Sequence, residues 1–396
     1  MPIVLACAVL WVSIGPMKPL SRPIRLTKQV LLPVSFIAAL FCFGRVHAQL
    51  ADSPEAQHIA FPDSRIKVSG LAWFEEDKPE LRRLPARLKD TFRPSVWSLA
   101  QQPSGGRIRF KTDSTKIAVA AQNPDTSTMH HMTTVGQSGL DLYVNGEYIN
   151  SAWPDQNGKI IKEWAVGTKR EFRDITIYLP LYKAITLKEI VLDMDAKVGA
   201  PAPFALPKPV VYYGSSITQG GCAENPGLSC QAIVSRWLNV DFVNFGFSGN
   251  GLGDPAVAQA IAEIDAACFV LDYWANPTPQ VYKETLPGFV DTLRAKHPKT
   301  PIIIPGPYYF PAEAVLTETK ARQDEKRQIA RKFVDARRKA GDAFIRYLDG
   351  FEMLSRKHAD GLVDGVHANS IGFYFCAKGL EPHLRRALRL ASKPSR

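Results

Sequence analysis

From residue 210 to the C-terminus, short apolar runs alternate with stretches of helical periodicity, and this alternation constrains the fold more than any other feature of the chain. VVYYG (210–214) precedes QAIVSRWLN (231–239), DFVNFG (241–246) precedes DPAVAQAIAEID (254–265), and CFVLDYW (268–274) precedes ETLPGFVDTLRAKH (284–297). PIIIPGP (301–307) and AFIRYLD (343–349) are each followed by a further helical pattern. The strands are apolar along their whole length rather than at every second position. That predicts a parallel sheet covered by helices on both faces, a three-layer α/β/α arrangement. Ligands of such a sheet bind beyond the carboxyl ends of its strands.

Residues 49–205 read differently. RIRFKT (107–112) alternates, KIAVAAQ (116–122) is β-like, and DLYVNGEYIN (141–150) places an Asn-Gly turn between two strand segments. EFRDITIYLPLY (171–182) and LKEIVLDM (187–194) continue the pattern, and an all-β sandwich or jelly roll is expected. PAPFALPKP (201–209), with four prolines in nine residues, reads as a linker. The expected domains are therefore 49–205, all-β, and 206–396, α/β.

The first 48 residues carry Lys18, Arg22, Arg25, Lys28 and Arg45 and no acid, then the apolar run LLPVSFIAALFCF (31–43) and the small-residue pattern Val46-His47-Ala48. This predicts a secretory signal peptide over 1–48, cleaved after Ala48, with Met1 or Met17 as the start. A periplasmic or secreted protein is expected, without stable membrane insertion after cleavage. An uncleaved N-terminal anchor is the other reading of the same segment. Without those five basic residues the formal charge falls from +11 to +6, and no nucleic-acid module accompanies it, so nucleic acid is not an expected partner. Cys222 and Cys230 are close enough in sequence for a loop-closing disulfide; the spacing leaves open whether one forms. No cysteine has zinc-ligand spacing. His130-His131 has no histidine or carboxylate partner at metal spacing, so the pair reads as loop residues. Neither a metal nor an organic cofactor is expected.

The conspicuous polar clusters of the second half all follow predicted strands: Ser215-Ser216, Gly246-Phe247-Ser248-Gly249-Asn250-Gly251, Ala275-Asn276-Pro277 and Asp364-Gly365-Val366-His367. Together they hold the parts of an acyl-transfer site. A serine needs a base, a histidine base needs an acceptor to fix its tautomer, and the three-residue spacing lets Asp364 reach back to His367. A backbone N–H at Gly249 and the amide of Asn276 offer donors for an oxyanion. Ser248 is the rival hydroxyl, but its context misses the last glycine of a G-x-S-x-G elbow. The glycine run G-N-G-L-G-D does not satisfy a dinucleotide fingerprint.

These four segments resemble the motifs of the SGNH (GDSL-type) hydrolases, a family of esterases. The G-D-S motif appears as Gly214-Ser215-Ser216, with Ser215 where the family usually has aspartate. The second motif is G-F-S-G-N-G, the third is W-A-N-P in place of G-x-N-D, and D-x-x-H is intact. The resemblance implies a flavodoxin-like domain, Ser216 as nucleophile, His367 as base, and Asp364 as its orienting acid. It further implies an oxyanion hole of Ser216 N–H, Gly249 N–H and Asn276, with Asn250 as the substitute should Asn276 fail. Residues 132–143, MTTVGQSGLDLY, resemble the G-x-D-L-Y signature of an N-terminal β-domain found before some bacterial members, through Gly139, Asp141, Leu142 and Tyr143.

The expected protein is a secreted serine esterase acting on carboxylic esters of carbohydrate, O-acetyl groups above all, or on another small ester. Trp274 and Tyr308, after strands, are candidate sugar platforms, and Asp141 is a candidate contributor to the cleft. A lipid or lysophospholipid esterase and a catalytically silent carbohydrate-binding protein are the alternatives.

Overall fold

The computed structural model describes residues 50–391, so the expected signal peptide lies outside the described residues. Residues 57–199 build two antiparallel sheets. One runs in the order Gln57–Ala60, Thr186–Leu192, Lys116–Gln122, Lys159–Ala165. The other runs Val198–Gly199, Arg107–Thr112, Arg173–Tyr178, Leu140–Val144, Glu147–Ala152, with Lys67–Ser69 also paired to Arg107–Thr112. The sheets close on one apolar core that includes Ile108, Phe110, Ile117, Val119, Leu142, Ile175, Ile177 and Ile190, making a sandwich. The Asn-Gly turn forms as read: Asn145 (φ 52°) and Gly146 (φ 85°) both take positive φ, the mirror-image turn that matches strand twist.

The parallel sheet comprises β1 (Val210–Gly214), β2 (Phe242–Gly246), β3 (Cys268–Asp272), β4 (Ile302–Pro305) and β5 (Ile345–Leu348). Its order is β2-β1-β3-β4-β5, every pair parallel. This is the flavodoxin-like order, in which the chain reverses direction across the sheet at β1. Helix Cys230–Leu238 packs against the C-terminal helix Ser370–Ala387, while Pro255–Ile261, Pro279–Lys296 and Thr317–Lys339 pack in succession. Among the described residues no helix is long and apolar enough to cross a membrane.

The two halves share a core. Trp73, Phe92, Val96 and Tyr182 pack into the same apolar cluster as Val211, Phe245 and Phe247, and the described residues form a single compact unit. The alternating strand RIRFKT shows why. Ile108 and Phe110 face the sandwich core, but Arg107 and Arg109 are buried too, against the α/β half. Arg107 Nη2 donates to Asp241 and to Phe242 O, and its guanidinium lies 4.0 Å from the Phe242 ring centre. Arg109 Nη2 donates to Ala202 O at 2.7 Å and its guanidinium lies 3.8 Å from the ring of Phe204, so the proline-rich segment is an ordered strap.

Candidate active site

At Gly214, the last residue of β1, nothing larger fits: a Cβ there would sit 1.8 Å from Thr218 Oγ1 and 2.6 Å from Asp272 O. Ser215 then caps a single helical turn, Ser216–Gln219, its Oγ accepting from Ile217 N at 3.2 Å. Ser216 is therefore the first helical residue. Its N–H is one of the donors that no intrahelical carbonyl takes. Its side chain stands at the strand's carboxyl end, 7% exposed, as the crevice rule requires.

Ser216 Oγ lies 2.8 Å from His367 Nε2, and His367 Nδ1 lies 2.7 Å from Asp364 Oδ2. The other carboxylate oxygen accepts from His367 N at 2.8 Å and Val366 N at 3.0 Å. Burial alone would raise the Asp364 carboxyl; the donors from His367 and Val366 outweigh it and hold the group down at about 2. An ionised carboxylate only accepts, so Nδ1 carries the proton and Nε2 presents its lone pair to the serine hydroxyl.

The loop after β2 lies across this turn. Phe247 N donates to Gly214 O at 2.9 Å, and Ser248 N to Gln219 Oε1 at 3.0 Å. Gly249 is exposed at its tip, with φ +67° and open space where a Cβ would be. Its N–H has no acceptor among the described residues. Asn276 Oδ1 accepts from Gly251 N at 3.0 Å, which ties two rim loops together and turns the amide so that Nδ2 stays uncommitted. Asn250 is spent elsewhere: its Oδ1 accepts from Arg93 Nη1 (2.9 Å) and Ser95 Oγ (2.8 Å), and its Nδ2 donates to Ser248 O (2.9 Å). It is no substitute for Asn276. The one histidine bonded to a serine hydroxyl near these loops, His367, is bonded to Ser216 and not to Ser248.

Three expectations are corrected. Trp274 and Tyr308 are 1% and 2% exposed, so neither ring offers a face to a sugar. Trp274 donates Nε1 to Asp272 at 2.7 Å and packs edge-on against Tyr308, their centres 5.1 Å apart. Tyr308 Oη donates to Val366 O at 2.6 Å and so braces the loop that carries Asp364 and His367. Asp141 is fully buried, its carboxylate committed to Ser151 Oγ (2.6 Å), Asn225 Nδ2 (3.1 Å) and Gly227 N (2.8 Å), so it offers nothing to a substrate. It fastens the sandwich to the loop after Ser216. Cys222 and Cys230 are both buried free thiols.

Sequence reasoning missed two features. Arg83, fully buried, donates to the carbonyls of Gln102, Leu99, Asn244 and Gly246 beneath the Gly249 loop. His131, read as a loop residue without a histidine partner, stands beside His367 with ring centres 5.7 Å apart. Only the motif at 132–143 hinted that this segment approaches the catalytic half. Among the described residues, His131, Cys222 and His367 bring their ligand atoms within 4.8 Å of one another.

Residues 207–385 match the model of the GDSL-like lipase/acylhydrolase family, and residues 57–198 match the N-terminus of the SGNH-hydrolase-type esterases, the GxDLY domain. A structure from Bacteroides ovatus ATCC 8483, described as a GDSL-like lipase, is 29% identical with a TM-score of 0.78, covering 86% of this chain and all of that one. A salicylyl-acyltransferase from a tetracycline biosynthetic pathway is 21% identical with a TM-score of 0.72, covering 85% of this chain and 99% of its own. A family two carbohydrate esterase from Cellvibrio japonicus is 15% identical with a TM-score of 0.57, covering 84% and 98%. The last two show likeness of fold alone. Among curated proteins none matches.

Proposed function

Because the chain belongs to the GDSL-like lipase/acylhydrolase family, in the form that carries an N-terminal GxDLY domain, we propose that it is an exported serine esterase that removes short acyl groups, O-acetyl above all, from carbohydrate. The observation that carries the reading is the continuous relay from Ser216 Oγ through His367 to Asp364, with links of 2.8 and 2.7 Å.

Ser216 Oγ attacks the ester carbonyl while His367 Nε2 takes its proton. Asp364 keeps the proton on Nδ1 and stabilises the imidazolium that forms. The oxyanion is met by the N–H of Ser216, the N–H of Gly249 and the Asn276 Nδ2, donors with no acceptor among the described residues. As the intermediate collapses, His367 gives its proton to the departing sugar oxygen, which leaves as the free hydroxyl, and the acyl-enzyme is hydrolysed by water activated at the same Nε2.

The groups brought to the His367 ring, His131 and Cys222, and those on the two tied rim loops, Gly249 and Asn276, are small or polar. That set suits a short acyl chain better than a long apolar one. The leader expected from the basic and apolar stretches of residues 1–48, the β-domain beside the catalytic half, and the occurrence of this fold among carbohydrate esterases favour an extracytoplasmic glycan as the alcohol.

The test is acyl release from acetylated xylan, acetylated glucomannan, a lysophospholipid and aryl esters of two to twelve carbons. The proposal expects acetate release from at least one glycan and a fall in kcat/KM with acyl length. Preference for the lysophospholipid or the long aryl esters would replace it with the lipid esterase.

A further inference from the structure

We propose that His131, Cys222 and His367 form a binding site for a soft divalent cation of the zinc class, and that its occupancy switches the esterase off by taking the lone pair of the base. The switching half rests on His367 being that base; the binding half does not.

Two imidazoles and a thiolate are a donor set that zinc accepts, with a fourth position left open. Zinc–nitrogen bonds of about 2.0 Å and zinc–sulfur bonds of about 2.3 Å put tetrahedral ligand atoms roughly 3.3–3.6 Å apart. The three atoms here already lie within 4.8 Å. His131 is exposed, and no hydrogen bond to a described residue holds its ring, so side-chain rotation can supply the remaining closure.

The framework around the ligands is stapled. Gln137 Nε2 donates to Met132 O at 2.6 Å, beside His131. Thr133 Oγ1 then donates to Glu224 O at 2.5 Å, joining the His131 loop to the Cys222 segment. Cys222 N donates to Ala368 O at 3.0 Å and Ser370 N to Glu224 Oε2 at 2.7 Å, joining that segment to His367. His367 already donates Nδ1 to a carboxylate, the arrangement that orients a metal-binding imidazole and makes it more basic.

The local field also favours a cation. The carboxylates of Asp364 and Glu224 both stand on this framework, Asp364 on the His367 ring and Glu224 on the Ser370 N–H. A dipositive ion meets those same two carboxylates and displaces the thiol proton on binding. Once Nε2 holds the metal it cannot accept the Ser216 proton.

The experiment uses the tag-free full chain, stripped with a chelator. Zinc chloride is titrated calorimetrically and against p-nitrophenyl acetate hydrolysis, each variant normalised to its own metal-free rate. One zinc per chain and at least about a hundredfold loss of rate at saturation are expected, while magnesium leaves the rate unchanged. His131→Ala, at an exposed position, and Cys222→Ser should each raise the half-inhibitory concentration at least about tenfold, and the neighbouring His130→Ala should not. Unchanged inhibition in both the His131 and Cys222 variants would overturn the site. So would the lack of a stoichiometric binding isotherm that His131→Ala weakens. A chain that binds one zinc through these residues yet hydrolyses no ester would keep the site and remove the proposed function.

Discussion

Arg83 is the point at which packing and catalysis meet, and replacing it with methionine tests that link. The guanidinium is fully buried, 4.8 Å from the Phe247 ring centre, and donates to four main-chain carbonyls, of Gln102, Leu99, Asn244 and Gly246. Burial lowers the guanidinium to about 9, so it remains charged at neutral pH, held by carbonyl dipoles rather than by a carboxylate. Methionine preserves much of the volume but takes the donor from Gln102 O, Asn244 O and Gly246 O in the interior, each costing roughly 1–3 kcal/mol, while Leu99 O keeps the Gln102 N–H. Removing a desolvated charge offsets part of this, and a net loss of about 3–5 kcal/mol follows. For a cooperative unit of this size the unfolding entropy is about 0.7 kcal/mol/K, so the melting temperature falls by roughly 4–7 °C. Gly246 begins the loop that carries Gly249, so kcat should fall about tenfold or more while KM changes less, as expected when a donor is misplaced by a fraction of an ångström. Differential scanning calorimetry and steady-state hydrolysis of an aryl acetate read both effects. A methionine variant that melts with the wild type and retains full kcat would refute the claim that Arg83 organises the loop.

Further outcomes follow from the site. Asp364→Asn should leave Ser216 in place but lose the acceptor for Nδ1–H, lowering kcat by about 10⁴ without a comparable change in melting temperature. Asn276→Ala should cost about 10²–10³ in kcat through the oxyanion, whereas Asn250→Ala, which loses its bonds to Arg93 and Ser95, should appear mainly in stability; equal kcat losses would mean that the two amides are assigned wrongly. Burial raises Asp272 from 3.8 to about 7, against donors from Trp274 and Thr218 that lower it. The folded chain therefore keeps that proton to about pH 7 while the unfolded chain releases it near 4. This group's contribution to stability declines across that interval, by up to about 1.4 kcal/mol per pH unit. Asp272→Asn should flatten the pH dependence of the melting temperature between those values, and an unaltered slope would count against a protonated Asp272.

What the chain revealed before folding, and what it concealed, divides along physical lines. The strand-helix alternation was legible because parallel strands buried on both faces are apolar throughout, and the Asn-Gly turn because few residues tolerate two positive φ values in succession. Ser216 could be picked out because it follows a strand, and Asp364 and His367 because the pair lies within one short loop. Arg83 and Arg107 were not, because an arginine that reads carbonyls or stacks on phenylalanine has the same letter as a solvated one. The alternation of RIRFKT suggested one wet face, and the catalytic half covers it. Trp274 and Tyr308 stand after strands, as ligand-facing aromatics do, but they pack on each other and on Phe310 and are buried. His131 meets His367 across more than two hundred residues of chain, a proximity that spacing cannot convey.

The central claim is that Ser216, activated by His367 and Asp364, is the nucleophile of an ester hydrolase, and the most direct test is the kcat of Ser216→Ala on a short aryl acetate. A loss of about 10⁶, to the level of the uncatalysed reaction with residual oxyanion assistance, is the predicted result. Turnover within tenfold of the wild type would place the chemistry on another residue and contradict the account.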